Sequence, residues 1–236
     1  MKLYVNANAA ANGDGTKERP FQTIQAAADI ASAGDEVSIF PGVYRENVNP
    51  RNAGTPEKRV IYRSVKPLEA VITGAEPLKG WKSEGHGIWS ARVSNEVFGN
   101  YNPYTTRVSG DWFIAFFVAH TGDVYLNGKS LYEVTSREAV KNPTVSATSW
   151  DPEFSVYVWY TEQDEATDET VFYANFHDKD PNTENVEFSV RRACFAPKKE
   201  GIGYITLSGL TMCKAATQWA PPTAYQEGMI GPHWSK

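Results

Sequence analysis

Short apolar strands recur near the start of the chain at spacings of one coil and about half a coil. Strand-like runs lie at 36–40, 59–63 and 70–74, so that Val37 and Val60 are 23 residues apart and Val60 and Val71 are 11 apart. In a right-handed parallel β-helix each coil takes roughly 20–25 residues, within the repeat periods that mark solenoids. The spacing therefore predicts that residues 1–76 form the first coils of such a β-helix.

Stacked coils need apolar side chains that point inward and an end that is covered. The inward positions are expected at alternating residues, namely Val37, Ile39, Val60, Tyr62, Val71 and Thr73. A helix is predicted over 23–33, with Thr23 as its N-cap and Gly34 just past its end. Its alanine-rich face is expected to cap the open end of the stack, because unpaired strand edges invite aggregation.

From Pro77 onward the repeat spacing disappears and the strands become longer. The predicted strands are 112–118, 123–126, 154–160, 170–176 and 186–190, and Asn127-Gly128 is a strong hairpin-turn signal. Strands separated by glycine, aspartate and asparagine are typical of an antiparallel sandwich. We therefore predict that residues 77–198 form an inserted antiparallel β-sandwich.

The segment 201–212 returns to the first pattern, with Ile205, Leu207 and Leu210 around a glycine corner at Gly209. Residues 199–236 are accordingly predicted to resume the β-helix. The predicted fold class is all-β: a β-helix start with a capping helix, opened to hold a sandwich between two coils. Such an insertion requires the two ends of the inserted sandwich to leave the β-helix at neighbouring positions.

Composition excludes several classes of function. The net charge is −5 with scattered basic residues, which argues against a nucleic-acid partner. No apolar run approaches the roughly 20 residues that span a bilayer, and the N-terminus lacks the apolar core of a secretory signal. The chain is therefore predicted to be cytoplasmic, with no membrane partner and with Cys194 and Cys213 as free thiols. Two cysteines and four dispersed histidines predict no metal site, and no cofactor is expected.

Two stretches carry a resemblance to known families. The opening resembles the N-terminal end of many pectate-lyase-like β-helix proteins, through Gly13-Asp14-Gly15-Thr16, Pro20-Phe21-Gln22-Thr23 and Pro41-Gly42-Val43-Tyr44. The tail resembles a narrower group, the β-xylosidases of glycoside hydrolase family 120, through 215–224 and Gly231-Pro232-His233-Trp234. The sandwich placed after the first coils is also similar to the layout of that family.

This resemblance implies a retaining exo-β-xylosidase that acts on short xylo-oligosaccharides and assembles as a homo-oligomer, a homotetramer. The nucleophile and acid/base carboxylates of the family lie on later coils, beyond the point where this chain ends, so no catalytic residue is assigned here. The expectation is that this sequence is the front part of a longer enzyme and is inactive alone.

Aromatic residues next to polar ones are candidate sugar contacts, since flat rings cover the apolar faces of sugars. Tyr101 and Tyr104 lie in an asparagine-rich loop, Asp111 precedes Trp112, and Trp219 lies among prolines. Each has a structural alternative: a packed loop or subunit contact for the tyrosines, a strand-initiating aspartate, and a wedge under a long loop for Trp219.

Two other functions remain open. The sandwich is compatible with a carbohydrate-binding or assembly module that does no chemistry. The coils are also compatible with a fragment of a polysaccharide lyase, which would show a Ca²⁺ requirement and an unsaturated product.

Overall fold

The computed structural model describes residues 1–108, 118–216 and 228–231, and these residues are predominantly β with two short α-helices. They divide into two compact units. The first comprises 1–74, 191–216 and 228–231, and the second comprises 75–108 and 118–190. The all-β class predicted from the sequence is therefore confirmed for the described residues.

The strands of both units are named here in chain order. They are β1 (Lys2–Val5), β2 (Glu36–Ile39), β3 (Gly42–Tyr44), β4 (Val60–Ser64), β5 (Ala70–Thr73), β6 (Ala75–Pro77), β7 (Lys82–Gly85), β8 (Ile88–Ser94), β9 (Val124–Leu126), β10 (Lys129–Ser130), β11 (Tyr132–Glu133), β12 (Val158–Asp164), β13 (Glu169–Asn175), β14 (Val186–Ser189), β15 (Ile205–Ser208) and β16 (Leu210–Cys213). The helices are α1 (Ile24–Ala28) and α2 (Arg137–Lys141), with 3₁₀ turns at Asn95–Phe98 and Phe154–Val156.

The first unit consists of parallel strand rows. One sheet has the order β1-β2-β4-β15 and another the order β16-β5-β3, and every pairing in both is parallel. Isolated parallel bridges join Val48 to Phe195 and Phe195 to Ile230 as a third row. β4 pairs directly with β15 and β5 with β16, so the last two strands before the second unit pair with two strands that follow it. The predicted winding of these rows into a β-helix stays a prediction.

The core of the first unit lies between these rows. Val37, Ile39, Val60 and Tyr62 are buried as predicted, and Phe195 packs edge-on against Tyr62 with ring centroids 5.1 Å apart.

In β5 one of the two residues that were expected to point inward, Val71, does not do so. Ala70 and Ile72 are fully buried, whereas Val71 is only half-buried. Thr73 is buried as predicted, so Ile72 and Thr73 are buried next to each other at the end of the strand. A run of four apolar or small residues carries little information about phase, and packing decides which side chains point inward.

The predicted helix exists but is shorter than expected. Thr23 is its N-cap and accepts a hydrogen bond from Ala26 N, and Ala27 and Ala28 are fully buried. The helix ends at Asp29 rather than near residue 33. The Asp35 carboxylate accepts hydrogen bonds from the backbone and hydroxyl of Ser32, which stabilises a turn in place of further helix.

Glu46 closes the N-terminus of α1 from another part of the unit. Its two carboxylate oxygens accept hydrogen bonds from Ile24 N and Gln25 N, each at 2.8 Å. Glu46→Ala leaves both amides without an acceptor and is expected to lower the free energy of unfolding by about 1–3 kcal/mol. Glu46→Gln keeps one acceptor oxygen and should lose less in urea unfolding; equal losses would contradict the hydrogen-bonding role.

The second unit contains two sheets that share one core. One sheet has the order β10-β9-β14-β6 and the other the order β11-β12-β13-β8-β7; all pairings are antiparallel except β11 with β12. The shared core takes Val124 and Phe188 from the first sheet and Trp159 and Phe172 from the second. Asn127 and Gly128 both have positive φ and join β9 to β10, which confirms the predicted hairpin turn.

The strand predicted at 154–160 begins later than expected. Phe154–Val156 form a 3₁₀ turn, and β12 begins only at Val158. The turn is stabilised because Asp151 accepts hydrogen bonds from the Phe154 and Ser155 amides. The strand predicted at 112–118 lies outside the described residues except for Val118.

Both cysteines are free thiols, as predicted, with Cys194 buried and Cys213 half-buried. Burial raises the pKa of the Cys194 thiol to about 11. Within the described ranges, no helix has the length and apolarity that crossing a membrane would require.

Along the chain, the boundaries between the two compact units fall between Gly74 and Ala75 and between Val190 and Arg191. The predicted domain boundaries are at 76/77 and 198/199. Cys194 and Phe195 pack in the core of the first unit. The domain division itself stays a prediction.

Candidate functional site

A cavity with a volume of about 600 Å³ lies in the second unit. Its walls come from the chain on either side of residues 109–117, from the end of β11 and from the second half of β12. The lining residues are Tyr104, Thr105, Arg107, Val118, His120, Glu133, Val134, Thr135, Tyr160, Thr161, Glu162 and Gln163.

One wall is a short two-stranded ribbon. Arg107 and His120 form an antiparallel bridge, Val108 N donates to the carbonyl of Ala119 at 2.8 Å, and Thr121 N donates to that of Thr106 at 3.0 Å. These bonds hold Arg107 and His120 side by side at the cavity.

A histidine–carboxylate pair is the most ordered polar feature of the cavity. His120 Nδ1 lies 2.5 Å from Glu133 Oε1, and His120 N donates to Glu133 Oε2 at 2.8 Å. The His120 and Glu133 side chains are only 20% and 17% exposed. Because each oxygen of Glu133 has one contact to His120, the carboxylate is fixed in orientation at the wall. A hydrogen bond to an ionised acceptor is also stronger than a neutral one.

Another wall is the edge of β12 beyond its short pairing with β11. β11 pairs with β12 only at Val158 and Trp159, where Val134 N donates to Trp159 O. In a strand, alternate peptide groups point to the same side, so those of Thr161 and Gln163 point along the same edge as that of Trp159. Among the described residues, these two peptide groups have no hydrogen-bond partner outside β12. Their N–H donors and C=O acceptors lie beside the cavity.

The two predicted tyrosines lie near this cavity but differ in exposure. Tyr101 is half-buried, and its hydroxyl is 2.6 Å from Thr121 Oγ1. Tyr104 is only 2% exposed, packs against Trp159 and Phe172, and donates its hydroxyl to the Asp123 carbonyl at 2.8 Å. Burial raises the pKa of Tyr104 well above its usual value. A ring so deeply packed has little surface to offer a sugar; sugar binding by either tyrosine stays a prediction.

The other three predicted sugar contacts lie outside the described residues; they are Asp111, Trp112 and Trp219. The sequence, in turn, did not single out Glu133, Arg107 or Glu162 as site residues. Their neighbours carry no distinctive motif, and they reach the cavity through the bridge of Arg107 to His120 and the pairing of β11 with β12.

Asp123 is a second unusual carboxyl group, close to the core. Its side chain accepts hydrogen bonds from Ser130 Oγ at 2.6 Å and from Val124 N at 2.8 Å. Burial raises the pKa of Asp123 to about 6 in spite of these donors. A carboxyl group with a raised pKa is a recurrent feature of functional sites, but here its partners are structural.

The described residues hold no group of three or more His, Cys, Asp or Glu side chains arranged to bind a metal ion. The cavity is a polar pocket of mixed charge, lined by the Glu133 carboxylate, the edge of β12 and the rings of Tyr104 and Tyr160.

Fold and site together define an all-β protein with parallel strand rows and an intervening unit that has its own core and cavity. Residues 78–188, almost the whole of that unit, match the family model described as "Glycoside hydrolase 120, insertion domain". The family match thus falls on the part of the chain that the sequence predicted to be an insertion.

Comparison with solved structures extends the likeness beyond the insertion. The structure titled "The complex structure of XylC with xylose" matches with a TM-score of 0.94 and 42% identity, over 99% of this chain and 38% of that chain. A structure titled "Glycoside hydrolase" matches with a TM-score of 0.56 and 13% identity, over 91% of this chain and 50% of that one, which shows similarity of fold alone.

Among curated proteins, the uncharacterized protein YwoF of Bacillus subtilis (strain 168) is 38% identical over 72 residues. That segment is 30% of this chain and 15% of YwoF. The chain thus spans well under half the length of XylC and aligns with a small part of YwoF.

Proposed function

We propose that this chain is the N-terminal part of a retaining exo-β-xylosidase of glycoside hydrolase family 120, acting on short xylo-oligosaccharides. The observation that carries the proposal is the 42% identity, over 99% of the chain, to XylC, whose structure holds xylose. The insertion-domain match at 78–188 supports the same family independently of that structure.

The proposed architecture is the start of a right-handed parallel β-helix, capped by α1 and interrupted by a β-sandwich. The parallel pairings of β1, β2, β4 and β15 support it, since consecutive coils of a β-helix pair in this way. The direct pairing of β4 with β15 supports insertion between two successive coils. Two sheets around one core support the sandwich.

We assign no catalytic residue to this chain. A retaining glycosidase needs two carboxyl groups about 5–5.5 Å apart, one as nucleophile and one as acid and base. Because the chain spans only 38% of XylC, we propose that this pair belongs to the portion of the enzyme that has no counterpart here. The proposal also takes the enzyme to be a cytoplasmic homo-oligomer, a tetramer, in line with the family resemblance.

The proposal predicts that the 236-residue chain does not hydrolyse an aryl β-xyloside. Without both carboxyl groups, protonation of the leaving group and attack at the sugar carbon are lost together. Release of the aryl alcohol should equal the rate without protein, while a longer protein containing the remaining coils should turn over. Turnover by the short chain at the rate of the longer one would contradict the placement of the carboxyl pair.

A second candidate function is sugar binding or subunit assembly without chemistry. The cavity beside His120 and Glu133 favours it, because this cavity belongs to the inserted unit and needs no residue from the missing portion. The two candidates are compatible, since an inserted unit can bind sugar within an enzyme whose reaction centre lies elsewhere in the sequence.

A further inference from the structure

We infer that the cavity between His120, Glu133 and the edge of β12 binds a neutral sugar the size of a xylose disaccharide. The choice of xylose units rests on the proposed function, whereas the neutral, hydroxyl-rich character of the ligand is argued from the cavity alone.

The size of the cavity fits such a ligand. Its volume of about 600 Å³ falls within the roughly 300–1,000 Å³ of small-molecule sites. The ribbon at Arg107 and His120 and the strand β12 both line the cavity, so a ligand that fills it would contact both elements.

The charges of the lining favour a neutral ligand. Arg107 supplies one positive charge, while Glu133 and Glu162 supply two negative ones, and Glu133 is already paired with His120. A phosphate or carboxylate ligand would meet an excess of negative charge. A bound cation would need more oxygen or nitrogen ligands than the described residues bring together.

The hydrogen-bonding groups suit hydroxyls, which both donate and accept. The peptide groups of Thr161 and Gln163 offer N–H donors and C=O acceptors along a fixed strand edge. The Glu133 oxygens each keep a lone pair beyond their contact to His120, and they are held in place before any ligand arrives. Preorganised acceptors of this kind bind without the entropy cost of ordering a free side chain.

The lining also includes one aromatic ring that is not part of the core. Tyr160 is half-buried on β12 and borders the cavity. An aromatic face against the C–H face of a sugar ring is a common complement to hydroxyl contacts. The ring of Tyr104, in contrast, is buried in the core. We therefore assign Tyr160 as the aromatic residue that contacts the sugar.

Isothermal titration of the full 236-residue chain with xylobiose tests this inference. Saturable binding is expected, with affinity reduced about tenfold or more in Glu133→Gln, because a hydrogen bond to a charged acceptor is lost. Tyr160→Ala, on β12, should also weaken binding and leaves the contact between His120 and Glu133 intact. Glu165→Gln changes an exposed carboxylate outside the cavity and should bind as the wild type does.

Thermal unfolding of each variant shows whether it is folded. If Glu133→Gln does not fold, the xylobiose affinity of Tyr160→Ala tests the inference. Absence of saturable xylobiose binding by the folded chain would overturn the inference, as would affinity unchanged in both cavity variants. Tighter binding of inorganic phosphate than of xylobiose would also overturn it. Hydrolysis by a longer protein with the remaining coils is a separate measurement, so failure at the cavity leaves the proposed function standing.

Discussion

Phe172→Ala is expected to lower the free energy of unfolding of the second unit by about 3–5 kcal/mol. Phe172 is fully buried and packs against Tyr104 and Phe188, with ring centroids 4.7 and 5.5 Å apart. Its removal leaves a cavity where both sheets of the unit meet, and the surrounding rings fill such space only partly. Urea unfolding followed by tryptophan fluorescence measures the loss.

Trp150→Ala is the matched control, because it truncates a larger aromatic side chain that is fully exposed, at 103% of its reference area. Its effect should lie within about 0.5 kcal/mol of zero, as for most surface substitutions. A loss at Trp150 as large as that at Phe172 would show that aromatic residues stabilise this unit by something other than burial in the shared core.

Asp123→Asn is expected to stabilise the protein above neutral pH. Burial raises the pKa of Asp123 from 3.8 to about 6 in the folded state. The folded state therefore binds the proton more tightly, so the contribution of Asp123 to stability is full below about pH 4 and is lost as pH rises through 6. A shift of about two units corresponds to about 3 kcal/mol at most.

Since the Asp123 side chain is partly accessible to solvent, a gain of about 1–3 kcal/mol is expected for Asp123→Asn at about pH 8, and a much smaller one at about pH 4. Urea unfolding at the two pH values gives both numbers. The exposed Asp178→Asn should show no such difference between them. A gain that is independent of pH would show that the charge of Asp123 is not the cause.

The local features of the fold were predictable because short sequence patterns specify them. Thr23 caps α1 as its side-chain oxygen suggested, and Asn127 and Gly128 adopt the positive φ values that a two-residue hairpin turn requires. The spacing from Val37 to Val60 predicted neighbouring parallel strands, which β2 and β4 are. In each case the deciding contacts lie within a few residues or repeat at a fixed period.

The candidate site was only partly predictable. The sequence drew attention to Tyr104, but the ring of this residue packs in the core. His120 and Glu133 are 13 residues apart with no motif between them, and His120 is held by its bridge to Arg107 while Glu133 lies in β11. A pattern in the sequence cannot report a contact that exists only once these two segments have been placed by the fold.

The sequence by itself determined the all-β class, the change of pattern near Pro77, the turn chemistry and the free thiols, because periodicity and residue type act locally. Only the tertiary structure decided which face of β5 points inward, where α1 ends, and that a carboxylate, a histidine and the edge of β12 line one cavity. These depend on packing, on the local hydrogen bond from Ser32 to Asp35, and on hydrogen bonds between distant segments, such as those from Ile24 and Gln25 to Glu46. Their energies become available only when the chain has already folded around them.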